Sequence, residues 1–327
     1  MQVTALGAII ALILAIFLII KKVHPAYALI LGALVGGLVG GAGLTNTVVF
    51  MIDGAKGIMP AILRILTAGV LAGVLIESGA AAKIAETIVD KIGESNSLVA
   101  LALATLVLTS VGVFVDVAVI TVAPIAMSIA IRANLSKSSI LIAMIGGGKA
   151  GNIMSPNPNA IAAADAFKVP LTSVMAAGIV PAAFGLIVTC IIAKKLIKKG
   201  SFVEKGEVDS EVEQKPSFSS AIVGPIVAIV LLSLRPLFKI SIDPLIALPI
   251  GGAVGALAMG KIKNLNKYSI VGLTKMSGVA ILLIGTGTLA GIIANSGLKD
   301  VIVQGLSASG LPARSEERRV GKECPRC

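Results

Sequence analysis

The 327-residue chain is 56% hydrophobic and 14% charged, with a mean hydropathy of +0.99, whereas a soluble domain carries about a quarter charged residues. That balance excludes an ordinary soluble fold. Net charge is +11, but the positive residues sit in loops beside apolar runs, where the positive-inside rule places them, so nucleic acid is not an expected partner.

Apolar runs of about 18 to 20 residues, enough to cross a hydrocarbon core of about 30 Å, recur along the chain and predict an all-α polytopic membrane protein. The first, Val3 to Ile20, has no basic region before it and no small-residue cleavage site after it, and Lys21 and Lys22 follow at once. It reads as a retained span and not a signal peptide. Further spans are expected over Tyr27 to Leu44, Ile58 to Ile76, Leu98 to Phe114, Val117 to Ile131, Thr172 to Ala193, Ser220 to Leu234, Leu245 to Gly260 and Met276 to Ala294, with a broken span within 140–167. His24, beside Lys21, Lys22 and Pro25, suits an interfacial loop, and Cys190 suits inert packing inside a span.

With an external N-terminus, Lys21/Lys22, Lys83/Lys91, Arg132/Lys137, Lys194 to Lys199 and Lys261/Lys263/Lys267 all fall on the cytoplasmic side, against Arg235 and Lys239 outside. The expected organisation is a first half over 1–199, a cytoplasmic linker over 200–216 and the start of a second half over 217–313. Residues 314–327 are similar to a translated sequencing adapter and are left out of the fold. They contain five basic and three acidic residues together with Cys324 and Cys327. Without them the net charge is +9.

The segment Leu71-Ala-Gly-Val-Leu-Ile-Glu-Ser-Gly79 recurs as Leu289-Ala-Gly-Ile-Ile-Ala-Asn-Ser-Gly297, and Ile52, Gly54 and Gly69 match Ile270, Gly272 and Gly287 at the same offset of 218. Seven expected spans, an odd number, separate the starts of the two copies, so they run in opposite directions. Inverted repeats of this kind build secondary transporters around a midplane solute site.

The run Gly146-Gly-Gly-Lys-Ala-Gly-Asn-Ile-Met-Ser-Pro-Asn-Pro-Asn159 carries two prolines and four glycines, which disfavour a regular helix. Non-helical backbone at membrane depth is tolerated beside a polar cavity. A broken helix is therefore expected, resuming near Asn159 with free N–H groups toward an anion. An extramembrane loop is the alternative. Asn152, Ser155, Asn157 and Asn159 supply donors for hydroxyls and carboxylates, and Lys149, flanked by glycine and alanine, would attract an anion or snorkel to the interface. Asp116, alone among apolar residues between Glu94 and Arg132, is the candidate for proton coupling; a cap in a hairpin turn is the other reading. The long stretch from Leu98 to Ile131 suggests a re-entrant hairpin tipped near Asp116. Glu77 reads as a helix end, Asp165 as a solvated residue, and Asp53, Lys56 and Arg64 as peripheral, although Arg64 in its apolar surroundings could meet an anion.

There is no Walker A run, His-Glu-x-x-His or Gly-x-Ser-x-Gly, which disfavours an ATP motor and the commonest hydrolase sites. No enzyme activity, cofactor or metal is expected.

The Leu-Ala-Gly…Ser-Gly span end, Asp116 ahead of Pro124 and the Pro156-Asn-Pro158 turn, in that order, resemble the gluconate permease (GntP) family of the ion transporter superfamily over nearly all of residues 1 to 313. The resemblance implies symport of gluconate or a related hydroxylated monocarboxylate with a proton, across a bacterial cytoplasmic membrane, by a multi-pass protein for which a homo-oligomer is compatible. Better-known members carry histidines and further prolines where this chain has Asn152, Ser155, Asn157 and Asn159, which leaves D-serine, another hydroxy acid or a Na⁺-coupled solute as alternatives. Family members also run on for more than a hundred residues, so a second hairpin and second broken helix are expected to be missing here.

Overall fold

The computed structural model describes residues 3–93, 96–203, 215–238, 240, 242–298 and 301, with the side chains of 235–238 left aside. The tail 314–327, most of the 200–216 linker and Lys239 lie outside the described residues.

Among the described residues the chain is helical, running α1 (Ala5–Ile20), α2 (Pro25–Val39), α3 (Gly43–Glu77), α4 (Ala80–Ile92), α5 (Ser97–Ser110), α6 (Val115–Ala133), α7 (Lys137–Ile153), α8 (Pro158–Phe167), α9 (Leu171–Lys195), α10 (Phe218–Phe238), α11 (Pro244–Ala258) and α12 (Leu265–Ala294). Four segments are long and apolar enough to cross a membrane: α3, α6, α9 and Ile262–Ala294. Five apolar helices are shorter; at 1.5 Å per residue the 14-residue α5 covers about 21 Å, less than the hydrocarbon thickness. On α9, Ile179, Val180, Phe184, Ile187 and Ile191 are exposed, an apolar surface that lipid would satisfy. The protein is a polytopic membrane protein.

Two elements before α5 differ from the sequence expectation. The span expected over 58–76 is the second part of a 35-residue helix, because Asp53 and Lys56 sit on its exposed side and pair with each other at 3.0 Å, so neither interrupts the helix. The connection after Glu77 is itself a helix, α4, whose buried Ala80, Ala81, Ile84, Ala85 and Val89 recur at helical spacing.

Two compact units divide the chain, Met1–Gly57 with Leu282–Cys327, and Ile58–Ile281. In the first, α1 and α2 pack through small residues (Gly7, Ala8, Ala11 and Ala15 against Ala28, Gly32 and Gly36), the composition that lets apolar helices approach closely in lipid. Val3, Ala11, Ala33, Leu289 and Ile292 form its core.

In each unit the two copies of the repeated segment meet antiparallel at glycine. In the first, Gly54 of α3 abuts Gly287 and Gly291 of α12; in the second, Gly69 of α3 abuts Gly272 of α12, and Gly73 meets Gly272 and Tyr268. At the offset of 218, Gly54 corresponds to Gly272 and Gly69 to Gly287, so the two contacts are counterparts of each other. The ends match as well: Ser78 accepts from the N–H of Ala80 at 3.3 Å and Ser296 from the N–H of Leu298 at 3.3 Å.

Candidate solute site

The second unit contains a cavity of about 510 Å³ lined by Phe114, Val115, Asp116, Val119, Ile145, Lys149, Asn152, Asn157, Pro158, Asn159 and Val279. Three local structures build it.

The first is a helical hairpin of α5 and α6. It turns through Val111–Phe114, where Gly112 adopts φ +98°, a conformation glycine takes without steric penalty. Phe114 is the N-cap of α6 and Asp116 lies in its first turn, where a carboxylate meets the positive end of the helix dipole. Asp116 is at the hairpin tip and lines the cavity without serving as the cap residue.

The second is α7, begun by Ser136, which accepts from the N–H of Ser139 at 3.1 Å. The helix continues through Gly146, Gly147, Gly148 and Gly151, where the composition suggested a break. These glycines are packing surfaces: Gly147 abuts Ala102 and Gly151 abuts Leu106 and Thr109, all on α5. Close packing against α5 offsets the helix cost of glycine. The opposite face of α7 presents Ile145, Lys149 and Asn152, spaced one and two turns apart, to the cavity.

The third is the break itself, shorter than expected, from Met154 to Asn157. Asn157, 3% exposed, caps α8: its Oδ1 accepts from the N–H of Asn159 at 2.7 Å and of Ala160 at 3.3 Å, while its Nδ2 donates to the carbonyl of Asn152 and to Ser155 Oγ at 2.8 Å. Ser155 is fully buried and donates to the carbonyl of Asn152 at 3.1 Å. The first N–H groups of α8, expected to be free for an anion, are thus already taken, because the residue before Pro158 is itself a strong N-cap.

The fold brings together Asp116, Lys149, Asn152, Asn157 and Asn159 in one cavity, from positions up to 43 residues apart. Ser155 lies behind the wall. Among the described residues neither Asp116 nor Lys149 has an ion-pair partner, so the cavity holds one acidic and one basic group, both available to a solute.

A second cluster was not foreseen. Arg64 of α3 donates through Nε to Asp243 Oδ1 at 3.0 Å, through Nη2 to Asp243 Oδ2 at 2.7 Å, and through Nη1 to Asp165 Oδ1. Arg64 and Asp165, read as peripheral and solvated, are instead a part-buried pair, because the fold sets the C-terminal turn of α8 against the middle of α3. Asp243 is the N-cap of α11 and accepts from the N–H of Leu245 at 2.9 Å. Hydrogen bonds from Arg64 hold its carboxyl below the usual range, with burial opposing. The Asp-Pro pair ahead of an apolar run was a legible cap, but nothing local announced a partner 179 residues away.

The GntP family permease model matches residues 3–313. The chain belongs to the GntP family of permeases. This GntP permease is 66% identical over 312 residues to an uncharacterized transporter of Haemophilus influenzae, covering 95% of the chain and 74% of that protein. It is 25% identical over 328 residues to a gluconate permease of Pseudomonas aeruginosa, covering 91% and 72%. With the inner membrane permease YgbN of Escherichia coli it shares 29% identity over 213 residues, 64% of this chain and 46% of that one. The protein is an integral membrane transporter of a small molecule and not an enzyme.

Proposed function

We propose that this GntP permease imports gluconate or a related hydroxylated monocarboxylate together with a proton, by alternating access across the bacterial cytoplasmic membrane. The observation that carries the reading is that Asp116 and Lys149 line one cavity and that, among the described residues, neither has an ion-pair partner. With both ionised the empty cavity is neutral. A bound carboxylate adds one negative charge, and a proton on Asp116 restores neutrality, which matters where net charge at membrane depth is costly. Lys149 attracts the carboxylate, while Asn152 and Asn159 are placed to hydrogen-bond the hydroxyls. Asn157 and Ser155 serve the solute by holding the turn that presents Asn159. Names borne by relatives at 25% and 27% identity, both gluconate permeases, agree with this substrate class.

A second reading keeps the transporter and changes the solute. A zwitterion such as D-serine would place its carboxylate on Lys149 and its ammonium on Asp116, neutral without a proton. Uptake into proteoliposomes by the full-length protein separates the two: gluconate accumulation driven by an inward proton gradient supports the first, and D-serine uptake that leaves internal pH unchanged replaces it. Stimulation by sodium and not by protons would reassign the coupling ion.

A further inference from the structure

We propose that Lys275 of α12 is a second anion-contacting residue, at the rim of the solute cavity, meeting the solute's carboxylate on its way between Lys149 and the N-terminal end of α12. This role rests on the reading of the cavity as the solute site, and within that reading it favours a solute of net negative charge over a zwitterion.

Among the described residues, four basic residues stand in apolar helices outside the terminal turns: Lys56 and Arg64 of α3, Lys149 of α7 and Lys275 of α12. Lys56 pairs with Asp53, and Arg64 with Asp165 and Asp243. Lys149 and Lys275 have no ion-pair partner among the described residues. Of these two, Lys149 lines the cavity, which leaves the charge of Lys275 without a stated use.

Lys275 is exposed and stands three residues before Gly278, the midpoint of the 33-residue apolar segment Ile262–Ala294. With that segment centred on a hydrocarbon core of about 30 Å, Lys275 is about 10 Å inside the nearer boundary. A charge at such depth is costly against lipid, and is found where it faces water or a partner.

The helix itself sets which way Lys275 faces. Val279, four residues on, lines the cavity, and residues four apart share one helix face, so Lys275 is on the cavity side, about 6 Å along the axis. Nothing lies within 4 Å of a Cβ added at Gly278, so the space beside Lys275 is open. The neighbouring hydroxyls are already committed: Thr274 donates to the carbonyl of Ile270 at 2.9 Å and Ser277 to that of Thr274 at 2.7 Å. Inside the cavity the charges of Asp116 and Lys149 cancel. Lys275 then makes the approach along α12 positive, and a cleft edged by one sign of charge concentrates the opposite sign. A carboxylate solute is drawn in, whereas a zwitterion gains little.

The test is thiol labelling of the full-length protein in membrane vesicles at low ionic strength, using two water-soluble methanethiosulfonates, one bearing a sulfonate and one a trimethylammonium group. Lys275→Cys is expected to react with both, and labelling of the chain without the introduced cysteine sets the background. Val279→Cys is expected to react as well. Its preference for the anionic over the cationic reagent should fall about fivefold or more when Lys275→Gln is added, the effect of one charge about 8 Å away in water. Lys275→Arg should keep the preference, and Lys267→Gln, two turns nearer the helix end, should change it little. Absence of labelling at Lys275→Cys, which puts the lysine against lipid, overturns the proposal. So does a preference at Val279→Cys that Lys275→Gln leaves unchanged. If the double variant does not fold, labelling of Lys275→Cys still decides. No solute enters these measurements, so their failure is distinct from failure of the gluconate assignment, which uptake tests.

Discussion

Asn157 Oδ1 accepts the backbone N–H of Asn159 at 2.7 Å, and this bond sets the point at which the broken helix resumes beside the cavity. Replacing Asn157 with Ala removes the cap and leaves the carbonyl of Asn152 with only the Ser155 hydroxyl as a side-chain donor among the described residues. The expected cost is about 1 to 2 kcal/mol, seen as a lower unfolding temperature in detergent. Solute affinity should fall with it, while Asn157→Asp, which also caps, should keep most of the stability. Equal melting of Asn157→Ala and wild type would contradict the capping role.

Lys149 and Asp116 should separate kinetically. For Lys149→Ala a rise in KM of tenfold or more for a carboxylate solute is expected, from loss of one charge-assisted contact of about 1.5 to 3 kcal/mol. For Asp116→Asn, accumulation driven by a proton gradient should disappear while solute exchange across the vesicle membrane persists. Retained proton-driven accumulation in Asp116→Asn would remove that residue from coupling.

Arg64→Ala leaves Asp243 and Asp165 part-buried without their cation, which in buried settings costs about 3 to 5 kcal/mol. Some of this is recovered here by solvent, since the side chains are 24% to 40% exposed. Asp53→Asn, which breaks the exposed pair with Lys56, should change the melting temperature little. The pH dependence has a definite sign. Arg64 lowers the Asp243 carboxyl, so the stabilisation is complete above the unfolded carboxylate value and is lost as pH falls through the lower folded value. Melting temperature should therefore drop toward acid more steeply in wild type than in Asp243→Asn.

Gly69→Leu should prevent assembly of the second unit, because a Cβ at Gly69 would stand 2.8 Å from the Gly272 carbonyl oxygen, and overpacking a close contact costs about 1 to 3 kcal/mol or more. Gly185→Ala, where nothing lies within 4 Å of an added Cβ, should be tolerated or slightly stabilising. Size-exclusion profiles of the two variants provide the comparison.

The orientation inferred from charge predicts opposite compartments for reporters fused after Lys199 and after Lys239 in the full-length protein. Both reporting one side would overturn it.

The class of protein, its repeat and the location of the polar turn were legible in the residues. Hydropathy states how much of the chain must avoid water, the copies at offset 218 are plain in Gly and Leu spacing, and a proline pair must interrupt a helix. Asp116, Lys149, Asn152 and Asn159 stood out as polar residues in apolar surroundings, and all four line the cavity. Reading the Gly146 to Gly151 run as irregular backbone failed for a definite reason: local propensity counts the entropic cost of glycine, whereas the gain comes from α5, more than 30 residues upstream.

What the tertiary structure alone decided is which polar groups are spent and which are free. Asn157 carries the same amide as Asn152 and Asn159 and lines the same cavity, yet its Oδ1 and Nδ2, like the Ser155 hydroxyl, are consumed by the turn. Arg64 reads as peripheral and Asp165 as solvated until helices distant in sequence bring them together with Asp243. Sequence establishes the inventory of hydrogen-bonding groups and their local periodicity; their partners depend on long-range packing, which no local pattern encodes.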